Sequence, residues 1–164
     1  MTLSYHLGRE ITTDDLTVDI HGKPSLGSGN IHFSISHSGN WFYVLTSDAD
    51  VGVDIEKCKS RRSAKVLSDF LALRCDGPLR ENNDLAIART WSRLEALTKC
   101  VGLGMTVSLE GIRVPAELLF RPVLLSTSFG HHWLVDLPSV PGYCAAAVSV
   151  RKPEYIRVLP LNFS

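Results

Sequence analysis

Asp54 and Glu56 stand two positions apart in Val51-Gly52-Val53-Asp54-Ile55-Glu56, and Glu95 precedes Lys99 by four positions in Trp91-Ser92-Arg93-Leu94-Glu95-Ala96-Leu97-Thr98-Lys99. On a strand, residues i and i+2 share a face, so Asp54 and Glu56 form a carboxylate pair. On a helix, Glu95 and Lys99 are surface neighbours. Taken separately, the first pair reads as the wet face of an amphipathic strand and the second as an i,i+4 ion pair worth a few tenths of a kcal/mol (~0.3). Taken together, three carboxylates and a lysine suit another chemistry. Mg²⁺ prefers oxygen ligands in an octahedron, usually carboxylates completed by water and substrate phosphates. That chemistry requires the strand and the helix to meet, which spacing alone leaves open.

The other chemistry-bearing residues say less. Cys58, Cys75, Cys100 and Cys144 form no C-x-x-C pair and have no histidine at metal-like spacing, so they read as buried or idle thiols. His131 and His132 are adjacent in a strand-like run, point to opposite faces and do not readily share one metal. Asn162-Phe163-Ser164 matches a glycosylation pattern, which carries no weight without a secretory signal.

The elements that must position the carboxylates follow from periodicity. Asp14 to Leu26 reads as irregular, with Gly22-Lys23-Pro24 as a turn. Ile31 to Ser36 alternates as a half-buried strand, with Ile31, Phe33 and Ile35 on one side and His32, Ser34 and Ser36 on the other. Trp41 to Leu45 reads as a strand covered on both faces, and Val51 to Glu56 alternates again. Short turns between the three predict an antiparallel meander. A short helix is expected up to about Leu73, then a break from Asp76 to Asn83. The clearest helix runs from about Leu85 to Val101, with Asp84 as N-cap and Gly102 past its end. Its apolar stripe is Ile87, Trp91, Leu94 and Val101, with Thr98 between. Strands are expected near Val107–Val114, Pro122–Thr127, His132–Leu137, Tyr143–Val150 and Tyr155–Leu159. The whole is α+β, a mostly antiparallel sheet packed against helices, in a single domain over residues 1–164.

Composition sets the bounds. The 164 residues are 45% apolar and 21% charged, with 17 basic and 17 acidic residues and no net charge. That profile fits a folded domain, and no apolar run approaches the roughly 20 residues that span a bilayer. Met1 to Glu10 lack the basic start and apolar core of a signal peptide, so a cytoplasmic location is expected. The neutral total conceals a split. Residues 1–56 carry two bases against eight acids, whereas residues 57–99 carry ten bases against five acids. The basic block lacks interleaved aromatics, which argues against nucleic-acid binding.

Four segments in order carry a resemblance: Gly22-Lys23-Pro24; Phe33-Ser34-Ile35-Ser36-His37-Ser38-Gly39; Val51 to Glu56; and Trp91-Ser92-x-x-Glu95-Ala96-x-x-Lys99 followed by Gly102-x-Gly104. Together they resemble the 4′-phosphopantetheinyl transferases of the surfactin-synthetase-activating (Sfp-like) type. The likeness runs from about Leu3 to Val150 and is strong between Gly22 and Gly104. It implies transfer of the phosphopantetheine arm of coenzyme A to a serine of an apo acyl or peptidyl carrier protein, with release of adenosine 3′,5′-bisphosphate. Carried over by motif, Asp54, Glu56 and Glu95 would hold Mg²⁺, or Mn²⁺ in its place, against the diphosphate. Glu95 or a metal-bound water would take the serine proton. Lys99 would stabilise diphosphate charge, Ser36 and His37 would contact coenzyme A phosphates, and Lys23 would lie near the nucleotide.

Two departures stand out. The resembled family usually has lysine before the helix glutamate, where this chain has Leu94; Arg93 lies roughly 160° around the helix from Glu95 and is a poor substitute. Its members are also two similar lobes in a longer chain, and most of the first lobe has no counterpart here. A bare lobe face would need a cover, supplied by self-association, a partner chain or the rest of a longer protein. Leu94 and the missing lobe support an alternative of another class, a catalytically impaired homologue that binds carrier protein or coenzyme A as a scaffold. Arg61, Arg62 and Lys65, just after the carboxylate strand, are candidates to dock an acidic carrier; a solvated basic helix start fits them equally.

Overall fold

Alternation at 51–56 and the 3.6-residue rhythm at 84–101 produce the two elements that build the site. The computed structural model describes residues 4, 8, 10–27, 31–58, 64–77, 84–104 and 108–159, without the side chains of 64–66 and 68. A 3₁₀ turn, Thr13–Asp15, leads into strands β1 (Leu16–Val18) and β2 (Pro24–Leu26). These pair as a small hairpin, Thr17 opposite Ser25, where an irregular segment was expected. The Asp19 carboxylate accepts the His21 and Lys23 N–H groups at 2.8 and 2.9 Å, and so closes the connecting turn. Then follow β3 (His32–Ser38), β4 (Trp41–Ser47), β5 (Val51–Lys57), helix α1 (Ala64–Ala72), β6 (Cys75–Asp76), helix α2 (Asp84–Val101), β7 (Val114–Pro115), β8 (Val123–Thr127), β9 (Gly130–Leu137) and β10 (Tyr143–Ser149).

The central sheet has the order β5-β10-β9-β8 and is antiparallel throughout. The fold is therefore α+β, with an antiparallel sheet packed against helices. One face carries Leu134, Ala146 and Val148 against Leu94, Ala96, Leu97 and Cys100 of α2. The other carries Val53, Ile55, Val135, Leu137, Ala145 and Ala147, over which Tyr43 and Leu45 of β4 pack. Gly52 lets α2 lie close: a Cβ there would fall 1.9 Å from Ala96 O and 2.4 Å from Cys100 N. Gly102, at φ +83°, ends α2 by donating its N–H to Thr98 O at 2.9 Å.

The expected three-stranded meander is corrected. β3 and β4 pair with each other, but β5 pairs with β10, some 90 residues later. The free edge of β5 is met by side chains instead of a backbone ladder. Val53, Ile55 and Lys57 donate their N–H groups to the hydroxyls of Ser34, Ser36 and Ser38 at 3.0, 3.3 and 3.1 Å. This row of serines changes the expected facing of β3 in part. Phe33 is buried as expected, but Ser34 and Ser36 are buried too, whereas Ile35 is 41% exposed. β4 is not covered on both faces either: Trp41 and Phe42 are exposed and the rest of the strand is half-buried. The expected strand near Val107–Val114 shrinks to Val114–Pro115, which pairs parallel with β6, and 105–107 lie outside the described residues. Tyr155–Leu159 is not a strand: it has no regular structure and no strand partner among the described residues. Asn162-Phe163-Ser164 lies outside the described residues. Among the described residues, no helix is long and apolar enough to cross a membrane.

Candidate active site

Strand β5 and helix α2 do meet, and their contact brings the acidic residues together. Asp54 is 3% exposed on the α2-facing side of β5. Its Oδ1 accepts hydrogen bonds from Ser36 Oγ and from Lys99 Nζ, each at 2.7 Å. Its Oδ2 is buried and has no hydrogen-bond partner among the described residues. Lys99 also lies 3.6 Å from Glu95 Oε2, so its ammonium bridges the two carboxylates. Burial first, then the charge of Asp54, pushes the Glu95 carboxyl up to about 7. Lys99 opposes that rise, while the charge of Glu56 adds to it. Glu95, Asp54 and Glu56 are thus electrostatic neighbours, as the strand-plus-helix arrangement requires.

Among the described residues no three His, Cys, Asp or Glu side chains stand close enough together to hold a metal ion as they are. Lys99 fills the space between two of the three carboxylates. The donor set nevertheless suits a hard divalent cation: all the donors are oxygens, and one buried carboxylate oxygen lacks a partner. Closing the set requires side-chain movement about Lys99, which keeps its head 30% exposed.

The remaining candidates divide. Ser36 is buried against Asp54, whereas His37 is exposed on the opposite face of β3, its ring centroid 6.1 Å from that of Phe42. Lys23 lies at the C-terminal end of α2, where Nζ donates to Cys100 O at 3.0 Å and pairs with Asp50 Oδ1 at 3.1 Å. A cation there meets the negative end of the helix dipole. Burial pushes the Asp50 carboxyl up, but the hydrogen bond and charge of Lys23, with the charge of His32, outweigh it and hold it below its ordinary value. Leu94 is fully buried in the core. Arg61 and Arg62 lie outside the described residues, as does the side chain of Lys65.

Sequence reasoning missed Arg93 altogether as a structural residue. Its guanidinium is fully buried, with Nε 2.8 Å and Nη2 2.5 Å from the two oxygens of Asp136. It also donates to Pro115 O and Glu117 O, while Leu119 N–H donates to Asp136 Oδ2 at 2.8 Å. A signal was present: Arg93 shares a helix face with Leu97 and Cys100, and a lone arginine on an apolar face demands a buried acid. The thiols are free, as expected; Cys58 and Cys144 approach to 3.9 Å. His131 and His132 point to opposite faces, with His132 buried and its nitrogen held below its ordinary basicity by burial.

Residues 50–148, which contain β5, α2 and the central sheet up to Val148 of β10, match the 4′-phosphopantetheinyl transferase superfamily. The chain is 35% identical over 152 residues to "4'-phosphopantetheinyl transferase ffp" of Bacillus subtilis, covering 82% of this chain and 62% of that protein. It is 33% identical over 146 residues to "4'-phosphopantetheinyl transferase psf-1" of Bacillus pumilus, covering 85% of this chain and 63% of that one. The chain belongs to the 4′-phosphopantetheinyl transferase superfamily. It spans less than two thirds of the length of these relatives.

Proposed function

We propose that this chain transfers 4′-phosphopantetheine from coenzyme A to a serine hydroxyl of an apo acyl or peptidyl carrier protein, as an Sfp-like member of its superfamily and with Mg²⁺ as cofactor. The observation that carries this reading is the buried, unpartnered Asp54 Oδ2 beside Glu95, on a face where Glu56 adds a third carboxylate. Asp54, Glu56 and Glu95 would hold the cation, whose chemistry is to neutralise the charge that develops on the diphosphate. Glu95, beside Asp54, would also accept the proton of the attacking serine hydroxyl. The serine oxygen bonds to the phosphorus that carries pantetheine, the bridging P–O bond breaks, and adenosine 3′,5′-bisphosphate leaves. Lys99, its side chain partly exposed, would turn from Asp54 to a diphosphate oxygen. His37, exposed one residue beyond Ser36, is available to a phosphate from solvent.

Leu94 favours a second reading, a homologue that binds carrier protein or coenzyme A without turnover. A leucine stands before Glu95, buried in the core, and supplies no cation there. Mass spectrometry of apo acyl and apo peptidyl carrier proteins, incubated with the protein, coenzyme A and Mg²⁺, separates the two. A phosphopantetheine mass gain that disappears in Glu95→Ala is expected. Carrier binding without any mass gain would establish the second reading.

A further inference from the structure

Ser36 has one hydroxyl proton and two lone pairs, and the structure shows where two of these three go. Ile55 N–H donates to its oxygen at 3.3 Å, so a lone pair is used on the β5 backbone. The hydroxyl proton is directed to Asp54 Oδ1 at 2.7 Å. Ser34 and Ser38 make the same backbone contact with Val53 and Lys57, and neither is bonded to Asp54. The serine row, buried at Ser34 and Ser36, therefore joins β3 to β5 at three points, and at one of them it also grips a carboxylate.

We infer that Ser36 is a positioning residue for Asp54, and that its hydroxyl, anchored on Ile55, holds the carboxylate so that Oδ2 is presented to a divalent cation. The inference rests on the metal-dependent reading above. The torsion that swivels a carboxylate is soft, so an Asp oxygen needs an external hold to keep one orientation. Lys99 holds the same oxygen, but through a long, partly exposed side chain that the proposed reaction draws toward phosphate. Ser36 is short, buried and tied to backbone, and it keeps its hold when Lys99 leaves. Outer hydrogen bonds of this kind set the orientation of metal-binding carboxylates, and their loss lowers metal affinity by about 10–100-fold.

The test is Mn²⁺ titration of the full chain, read by the electron paramagnetic resonance of free Mn²⁺, with and without coenzyme A. Coenzyme A affinity is measured separately in EDTA. Ser36→Thr and Ser36→Val have matched shape and differ in the hydroxyl, and Ser34→Ala breaks the neighbouring serine contact. The expected result is about 10–100-fold weaker Mn²⁺ binding in Ser36→Val than in Ser36→Thr. Ser34→Ala should bind Mn²⁺ as the unaltered protein does, and coenzyme A affinity in EDTA should be the same in all. Equal Mn²⁺ affinity in the Thr and Val variants would overturn the inference and leave the metal-dependent reading standing. A loss of coenzyme A affinity in EDTA confined to Ser36→Val would overturn it too, by making Ser36 a phosphate contact. If the unaltered protein binds no Mn²⁺ with or without coenzyme A, both fall together.

Discussion

Asp54 and Asp136 flank Ala146 on one face of the sheet: both are its register partners, one on β5 and the other on β9. They are two strand spacings apart, roughly 10 Å. Helix α2 lies over this row and is bonded at both ends of it, through Lys99 to Asp54 and through Arg93 to Asp136. The pairs differ in chemistry. Arg93 is fully buried with every polar neighbour a hydrogen-bond acceptor, which suits permanent structure; Lys99 is partly exposed, which suits a side chain that must move.

Removing one partner of the buried pair strands the other. Asp136→Ala leaves the Arg93 charge buried and also releases the Leu119 N–H. Chemical denaturation should show a loss of about 3–5 kcal/mol. Substituting both residues with apolar side chains should recover much of that loss.

Gly52→Ala tests the approach of the helix to β5. The added methyl would collide with backbone at Ala96 and Cys100, which cannot turn aside as a side chain can. A stability loss of at least about 1–3 kcal/mol is expected, measured by thermal melting. Because α2 carries Glu95 and β5 carries Asp54, the proposed transferase activity should fall beyond the loss of folded protein.

The raised Glu95 carboxyl makes a signed prediction about pH. Its ordinary value is 4.5 and its folded value about 7. Below the lower value the group is protonated in both states and contributes nothing to pH dependence. Between the two, the folded protein keeps a proton that the unfolded chain has released, so stability falls as pH rises through this window. Glu95→Gln should remove that fall, and the difference in stability between the two proteins should level off above about pH 7. A difference that does not change from pH 4.5 to 7 would contradict the burial of Glu95 beside Asp54.

Lys23 is held by Cys100 O and Asp50, both at the end of α2. Lys23→Met should cost about 1 kcal/mol in denaturation, with a smaller cost at high salt. A rise in the coenzyme A KM without any stability loss would show instead that its role is nucleotide contact.

Some of this was legible in order and spacing alone. Alternation over residues 51–56, the helical rhythm after Asp84 and the stop at Gly102 are set by neighbours within a turn or two, so the two site-bearing elements could be read directly. The acidic set of Asp54, Glu56 and Glu95 was legible in the same way, together with the family that its ordered motifs resemble.

What lay beyond reach was everything fixed by partners distant in the chain. Whether Ser34 and Ser36 or Ile35 of β3 turn inward depends on what covers them, and the cover is the unpaired edge of β5, whose N–H groups need acceptors. β5 has that free edge because its ladder is made with β10, a choice that local periodicity does not encode. Arg93 stands out on the helix by itself only as a charge on an apolar face, and which acid meets it is decided when β9 brings Asp136 beneath it. Local sequence determined which elements form and which acids they carry. Only tertiary packing decided which polar groups are buried, because the cost of burying each is met by a hydrogen-bond partner from elsewhere in the chain.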